Sequence, residues 1–163
     1  MQQTQGRKNM LHSIIYLSKS NQYFSDKELD YLTSTSKKKN NELSITGFLI
    51  YQKGYFAQYL EGPKENVDLI GEKIKQDNRH DIVVWLENGI DKVNFNEWDM
   101  KQLKSAVYRN LDMASFIMEE LSLTRHQKTI TQTNTIEMWD NISIVARYYN
   151  FVQEQKKMAQ LIS

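Results

Sequence analysis

Gln58 is a carboxamide set inside an apolar run. The stretch Tyr55-Phe56-Ala57-Gln58-Tyr59-Leu60-Glu61-Gly62 follows a second such run, Ser44-Ile45-Thr46-Gly47-Phe48-Leu49-Ile50-Tyr51, with Gln52-Lys53-Gly54 between them. Two aromatic-rich runs around a short glycine turn read as a β-hairpin. A buried polar group must find partners or lose free energy. Gln58 is therefore a candidate for holding something polar. Its amide offers two donors and two acceptor sites, enough to bridge two partners.

Other residues of this kind each have an ordinary reading as well. Tyr16 lies in an apolar cluster from Leu11 to Leu17 and reads as packing with a capped hydroxyl. Asn40 falls where a first helix should stop, a common place for Asn. Arg79 and His80 follow a second helix, where cations suit the dipole. Trp98 and Met100 alternate on a short strand-like run and read as core.

The elements that must position these residues follow from the pattern. Leu11 to Leu17 is a strand. Ser25-Asp26-Lys27-Glu28 is a capping box, and Leu29 and Leu32 share the face of the helix it opens. That helix ends near Lys37-Lys38-Lys39, read as a solvated helix end. The hairpin comes next. Pro63 opens a second helix carrying Val67, Ile70 and Ile74 at helical spacing. Ile82 to Leu86 is a strand, and Phe95 to Met100 a weaker one. Strand, helix, strand, strand, helix, strand, strand predicts an α+β fold. It is a ferredoxin-like sheet with two helices on one face. Two C-terminal helices are predicted from Val107, Leu111, Ala114, Met118 and Leu121, and from Ile136, Trp139, Ile142, Val145, Tyr149 and Val152. The polar stretch Thr124 to Thr135 reads as the loop between them. Their apolar stripes need cover from the open sheet face, from each other or from another subunit. The predicted organisation is a polar extension over residues 1–9, one domain over 10–102 and a helical extension over 103–163.

Ile15-Tyr16-Leu17-Ser18, Asn40, Ile45-Thr46-Gly47, Phe56-Ala57-Gln58-Tyr59-Leu60-Glu61-Gly62, Asp77-Asn78-Arg79-His80 and Trp98-Asp99-Met100 occur in one order. This set resembles the BLUF family of flavin-binding blue-light sensors. The resemblance implies FAD bound non-covalently between the two helices. It implies that Tyr16 donates an electron and a proton to the photoexcited flavin. Gln58 would bridge phenol and flavin and rotate or change tautomer. Asn40 would hydrogen-bond the flavin ring, and Asp77, Arg79 and His80 would lie toward its ribityl and phosphate side. Trp98 and Met100 would change environment and pass the signal to the C-terminal helices. Trp98 and Trp85 could compete with Tyr16 as electron donors.

Composition sets further bounds. Lys+Arg 21 against Asp+Glu 20 gives a net charge of +1, no footprint for nucleic acid or an anionic membrane. There is no cysteine, so no disulfide, thiolate chemistry or cysteine metal site. No metal site is predicted from His12, His80 and His126, which are scattered. No apolar run is long enough to span a membrane, and a cytoplasmic protein is the default. A flavin-dependent redox enzyme is the alternative, disfavoured by the lack of a Gly-rich dinucleotide fingerprint and of paired Cys. A light-independent interaction module on the same fold is another. The predicted output is non-enzymatic, through a homo-oligomer or a separate downstream protein.

Overall fold

The computed structural model describes residues 10–95, 107–108, 111–126 and 132–162. Strand β1 runs over Leu11–Ser20, helix α1 over Asp26–Glu42, β2 over Thr46–Gln52 and β3 over Tyr55–Pro63. Helix α2 spans Lys64–Lys75 and β4 spans His80–Ile90. Short strands β5 (Val107–Tyr108) and β6 (Leu111–Asp112) precede α3 (Met113–His126) and α4 (Gln132–Ile162). The main sheet has the order β2-β3-β1-β4, with every neighbouring pair antiparallel. Among the described residues, no helix is long and apolar enough to cross a membrane.

Local chemistry explains the starts and turns. Ser25 caps α1: its hydroxyl accepts from the Glu28 amide at 3.4 Å, and its own amide donates to Glu28 Oε2 at 2.8 Å. Lys53 and Gly54 have φ of 51° and 79°, as a tight two-residue hairpin turn demands. Gly47 has φ of 150°, and a Cβ there would stand 1.8 Å from the Tyr59 carbonyl oxygen. Neither backbone atom can yield. Gly47→Ala should therefore cost about 3 kcal/mol, at the upper end for overpacking. Thermal unfolding followed by circular dichroism should show Tm lower by roughly 6–12 °C.

The sheet buries both faces. Ile14, Tyr16, Ile45 and Leu60 pack with Val67 and Ile70 of α2, and Leu49 and Phe56 pack with Phe24 and Leu29 on the α1 side. On the other face Ile15, Leu17, Phe48, Tyr59, Val84 and Leu86 meet Ile117 and Leu121 of α3 and Met138, Trp139, Ile142 and Val145 of α4. Among the described residues, α3 and α4 thus cover the open sheet face and each other. Each fully buried aliphatic there contributes roughly 1.5–3 kcal/mol over exposure. The Trp139 indole N–H also donates to Ser13 Oγ at 2.7 Å, tying α4 to β1.

Three expectations change, and one feature is new. Val107 and Leu111 do not belong to a helix: Val107 pairs with Asp112 and Tyr108 with Leu111 in a small ladder, and α3 starts at Met113. β-branched and aromatic residues around an Asn suit a hairpin as well as helical spacing suits a helix. The loop expected over Thr124 to Thr135 is shorter at both ends, because α3 reaches His126 and α4 starts at Gln132. Thr124 sits within the helix, where its hydroxyl donates to the Glu120 carbonyl at 2.9 Å. Helix α1 passes Asn40 and ends at Glu42, with the Asn40 carbonyl accepting from the amides of Leu43 and Ile45. Finally, β4 carries a bulge at Val83: Leu17 pairs with Val84, while Ser18 pairs with Ile82. The strand expected over Phe95 to Met100, with Trp98 and Met100, lies outside the described residues beyond Phe95.

Candidate functional site

A cleft opens between α1 and α2 above β1 and β3. Tyr16, Asn40, Gln58, Asp77, Arg79 and His80 all line it, with Phe24, Leu32, Leu49, Phe56, Ile70 and Ile74 as apolar wall and Ser36, Lys39 and Lys73 completing it. Six of the eight residues expected at a site are therefore brought together. Trp98 and Met100 lie outside the described residues.

Strand pairing does the positioning. Tyr16 on β1 stands opposite Gln58 on β3 in the ladder, and both side chains rise on the helix side. The Tyr16 hydroxyl donates to Gln58 Oε1 at 2.6 Å, a buried bond. On its other flank Tyr16 pairs with Trp85, and their rings stack at 5.4 Å with an 18° tilt. The bulge at Val83 makes this stack: Ile82 and Trp85 both face the helices although an odd number of positions separates them. Lys75 Nζ sits 4.6 Å over the Trp85 ring, and the Trp85 indole N–H donates to Glu87. Burial, helped by the Asp77 charge and opposed by Arg79, pushes the Tyr16 phenol far above its ordinary pKa. The hydroxyl keeps its proton at any physiological pH.

The loop after α2 supplies the charged end of the cleft. Asp77 accepts the Arg79 amide at 3.0 Å in an Asx turn and grips the guanidinium through Nε at 2.9 Å and Nη2 at 2.5 Å. That pairing holds the Asp77 carboxyl below its usual range and raises Arg79. His80 lies 6.0 Å from the Tyr16 ring, centre to centre. Burial lowers its pKa, against the pull of the Asp77 charge, so the imidazole is neutral at pH 7. Its Nδ1 is buried without a hydrogen-bond partner.

These groups fit a flavin. Apolar walls suit a flat heteroaromatic ring, and the buried amides of Asn40 and Gln58 suit its hydrogen-bonding edge. The orphaned His80 Nδ1 calls for a polar partner from within the cleft. Lys39, Lys73 and Arg79 suit an anionic tail.

A second polar cluster lies on the opposite sheet face, and sequence reading missed it. Glu61 is fully buried. It accepts from the Tyr59 hydroxyl at 2.8 Å, Thr46 Oγ1 at 3.1 Å, the amides of Asn94 and Phe95 at 2.7 Å each, and Asn94 Nδ2 at 3.0 Å. Asn94 then reaches α4: its Oδ1 accepts from Ser143 at 3.1 Å and its carbonyl from Asn150 at 2.9 Å. An acid two positions after a core Tyr in an apolar strand was the available signal. Leu32, Ser36 and Lys39 were missed too, although their spacing puts them on one helical face with Asn40.

Comparison with known proteins agrees with this geometry. The profile of the family described as sensors of blue-light using FAD (BLUF) matches residues 11–101. The beta subunit of photoactivated adenylate cyclase from Euglena longa is 40% identical over 74 residues, 45% of this chain and 9% of that one. The blue light- and temperature-regulated antirepressor BluF of Escherichia coli (strain K12) is 35% identical over 77 residues, 47% of this chain and 19% of that protein. The chain thus spans only a small part of the length of these relatives. The solved structure of BlsA in its photo-activated state superimposes with a TM-score of 0.60 at 29% identity, over 83% of this chain and 96% of that one. The dark-state structure of BlrB, a BLUF protein, gives 0.55 at 25%, over 71% and 91%. The profile covers more than half of the chain and every residue lining the cleft, so the chain belongs to the BLUF family of blue-light sensors.

Proposed function

We propose that this chain is a cytoplasmic photoreceptor that holds FAD non-covalently in the α1–α2 cleft and turns over no substrate. The observation that carries the reading is the buried 2.6 Å hydrogen bond from Tyr16 to Gln58 in the cleft wall. When bound, the flavin supplies blue-light absorption and an excited-state oxidant for which Tyr16 is the electron donor. A phenol that loses an electron becomes strongly acidic, and the Tyr16 proton already lies on the bond to Gln58 Oε1. Gln58 takes up that change by rotating its amide or changing tautomer, which exchanges donor for acceptor toward its neighbours. Asn40 holds the ring edge. Arg79, fixed by Asp77, and His80 hold the ribityl and phosphate side.

The output is a shift between two populations of the fold. Gln58 and Glu61 share β3, and Glu61 grips Asn94 and Phe95, just ahead of Trp98 and Met100. Asn94 is bonded to α4, so a change in β3 has a direct route to that helix. Phe151, Met158 and Leu161 of α4 are exposed and form the surface for a second copy or a separate effector protein.

The test is difference absorption of the purified chain before and after blue light. The reading requires a small red shift without bleaching, recovered in the dark. Gln58→Leu should retain flavin and show no light-induced shift, because nothing remains to switch its hydrogen bonds. Bleaching to a reduced flavin in the wild type would instead mark a redox enzyme.

A further inference from the structure

Helix α4 carries apolar residues on two opposite sides. Met138, Ile142 and Val145 are buried in the core it shares with the sheet and α3. Phe151 follows Ile142 by nine positions, about 180° around the helix. Ile144, Phe151 and Met158 recur every seven residues and are 52%, 56% and 57% exposed. They form one outward stripe, which the exposed Asp140 ends one turn before Ile144. Every residue from Glu154 to Ile162 is exposed. A helical stretch with no packing is marginal in water. We propose that the outer stripe of α4 is the seam of a homodimer, in which the α4 helices of two copies pack antiparallel and cross at Phe151. The inference rests on the reading of α4 as the output surface and commits that surface to one occupant, a second copy of this chain.

Self-complementary spacing and charge select that occupant. Ile144 and Met158 stand seven positions before and after Phe151. With a two-fold axis at Phe151, Ile144 of one copy lies level with Met158 of the other, and the two Phe151 rings meet. Arg147 and Glu154 are exposed on one flank of the stripe. They are about 10 Å apart along the helix axis, too far to pair with each other. A two-fold axis perpendicular to both helices keeps that flank on the same side of the seam in both copies. Arg147 of one copy then faces Glu154 of the other, and symmetry makes the pair twice. Parallel helices would put the two flanks on opposite sides of the seam and lose both pairs. The buried face of each α4 points away from the seam, so each domain sits on the outer side of its own helix. The exposed end of each helix covers the Ile144 turn of the other.

The experiment is sedimentation velocity of the flavin-loaded full chain over a range of concentrations. The apparent mass should rise with concentration to twice that of the chain. Phe151→Glu sets two carboxylates against each other at the axis and should raise the dissociation constant about thirtyfold or more. Phe151 is exposed in the single chain, so the fold should survive the change. Arg147→Glu and Glu154→Arg should each weaken the dimer, and the double variant should restore it. Orientation is read by oxidative cross-linking, since the chain has no cysteine of its own. Ile144→Cys mixed with Met158→Cys should form a disulfide between copies, and neither variant alone should. A monomer at every concentration, a dimer that Phe151→Glu leaves intact, or Ile144→Cys cross-linking to itself overturns the inference. The light-induced red shift is measured on the same samples. Its presence in a monomeric chain hands the surface to a separate effector protein and leaves the photoreceptor reading standing. Its absence in a dimer overturns the photoreceptor reading and leaves the dimer.

Discussion

Tyr16→Phe should keep its flavin and lose the red-shifted product of illumination altogether. The substitution preserves the ring that stacks at 5.4 Å on Trp85 and removes one oxygen. That oxygen is the donor of the 2.6 Å bond to Gln58. Without it no proton lies between the two side chains, and phenylalanine is too hard to oxidise to replace the electron. The cost in stability is small, about 1 kcal/mol for one lost hydrogen bond. Loss of signal therefore cannot be mistaken for loss of fold. Difference absorption at matched flavin content checks this. A normal red-shifted product in Tyr16→Phe would remove Tyr16 from the role and pass it to Trp85, the ring in contact with it. Wild-type amplitude should also hold up to about pH 10, where an ordinary phenol titrates, because burial keeps this one protonated.

Glu61→Ala carries the largest expected effect on stability. The carboxyl group accepts five hydrogen bonds within one buried cluster, two of them from backbone amides. Each buried donor left unpaired costs about 1–3 kcal/mol. Asn94 Nδ2 lies 3.2 Å from the Tyr59 hydroxyl, so part of the cluster can pair within itself. The net expectation is about 4 kcal/mol, which lowers Tm by roughly 8–16 °C in a chain of this size. Glu61→Gln keeps one carbonyl acceptor but turns an NH2 toward donors, so it should fall between wild type and Ala. Denaturant unfolding of the three proteins gives the order. A Glu61→Ala protein within 1 kcal/mol of wild type would mean that apolar packing of Phe95, which is 2% exposed, holds the segment by itself. The flavin cleft lies on the other sheet face, so flavin binding should survive. The proposed transmission to α4 should not, because Asn94 would lose its anchor.

The two faces of the sheet were unequally legible. Local signals acted over a few residues: the Ser25–Glu28 capping box, the Lys53–Gly54 turn, and the two-residue alternation that sends Phe56, Gln58 and Leu60 to one side. Such signals survive in sequence because they depend on neighbours along the chain. Family resemblance implied that Gln58 would bridge the Tyr16 phenol and a flavin; that the two residues stand opposite each other in neighbouring strands and face the helices is a finding of the structure. The position of Asn40 was legible, though the helix around it runs further than an Asn stop implies. The buried role of Glu61 was not legible, since a strand acid reads as solvent-facing until a loop and α4 are seen to cover it.

By itself the sequence determined the element order through β4, the helix start, the hairpin turn, and the residue types able to hold a flavin. Periodicity and capping carry that information without reference to the rest of the molecule. Only the tertiary structure decided which rings touch. Strict alternation along β4 puts Ile82, Val84 and Leu86 on one face and Trp85 on the other. The bulge at Val83 separates Ile82 from Val84 and turns Trp85 onto Tyr16. A bulge is a compromise between two strands competing for register, and neither strand records it alone. The same holds for Lys39 and Arg79. They are far apart in the chain, each with an ordinary local explanation, and come to line one cleft only when α1 and the loop after α2 close over the sheet.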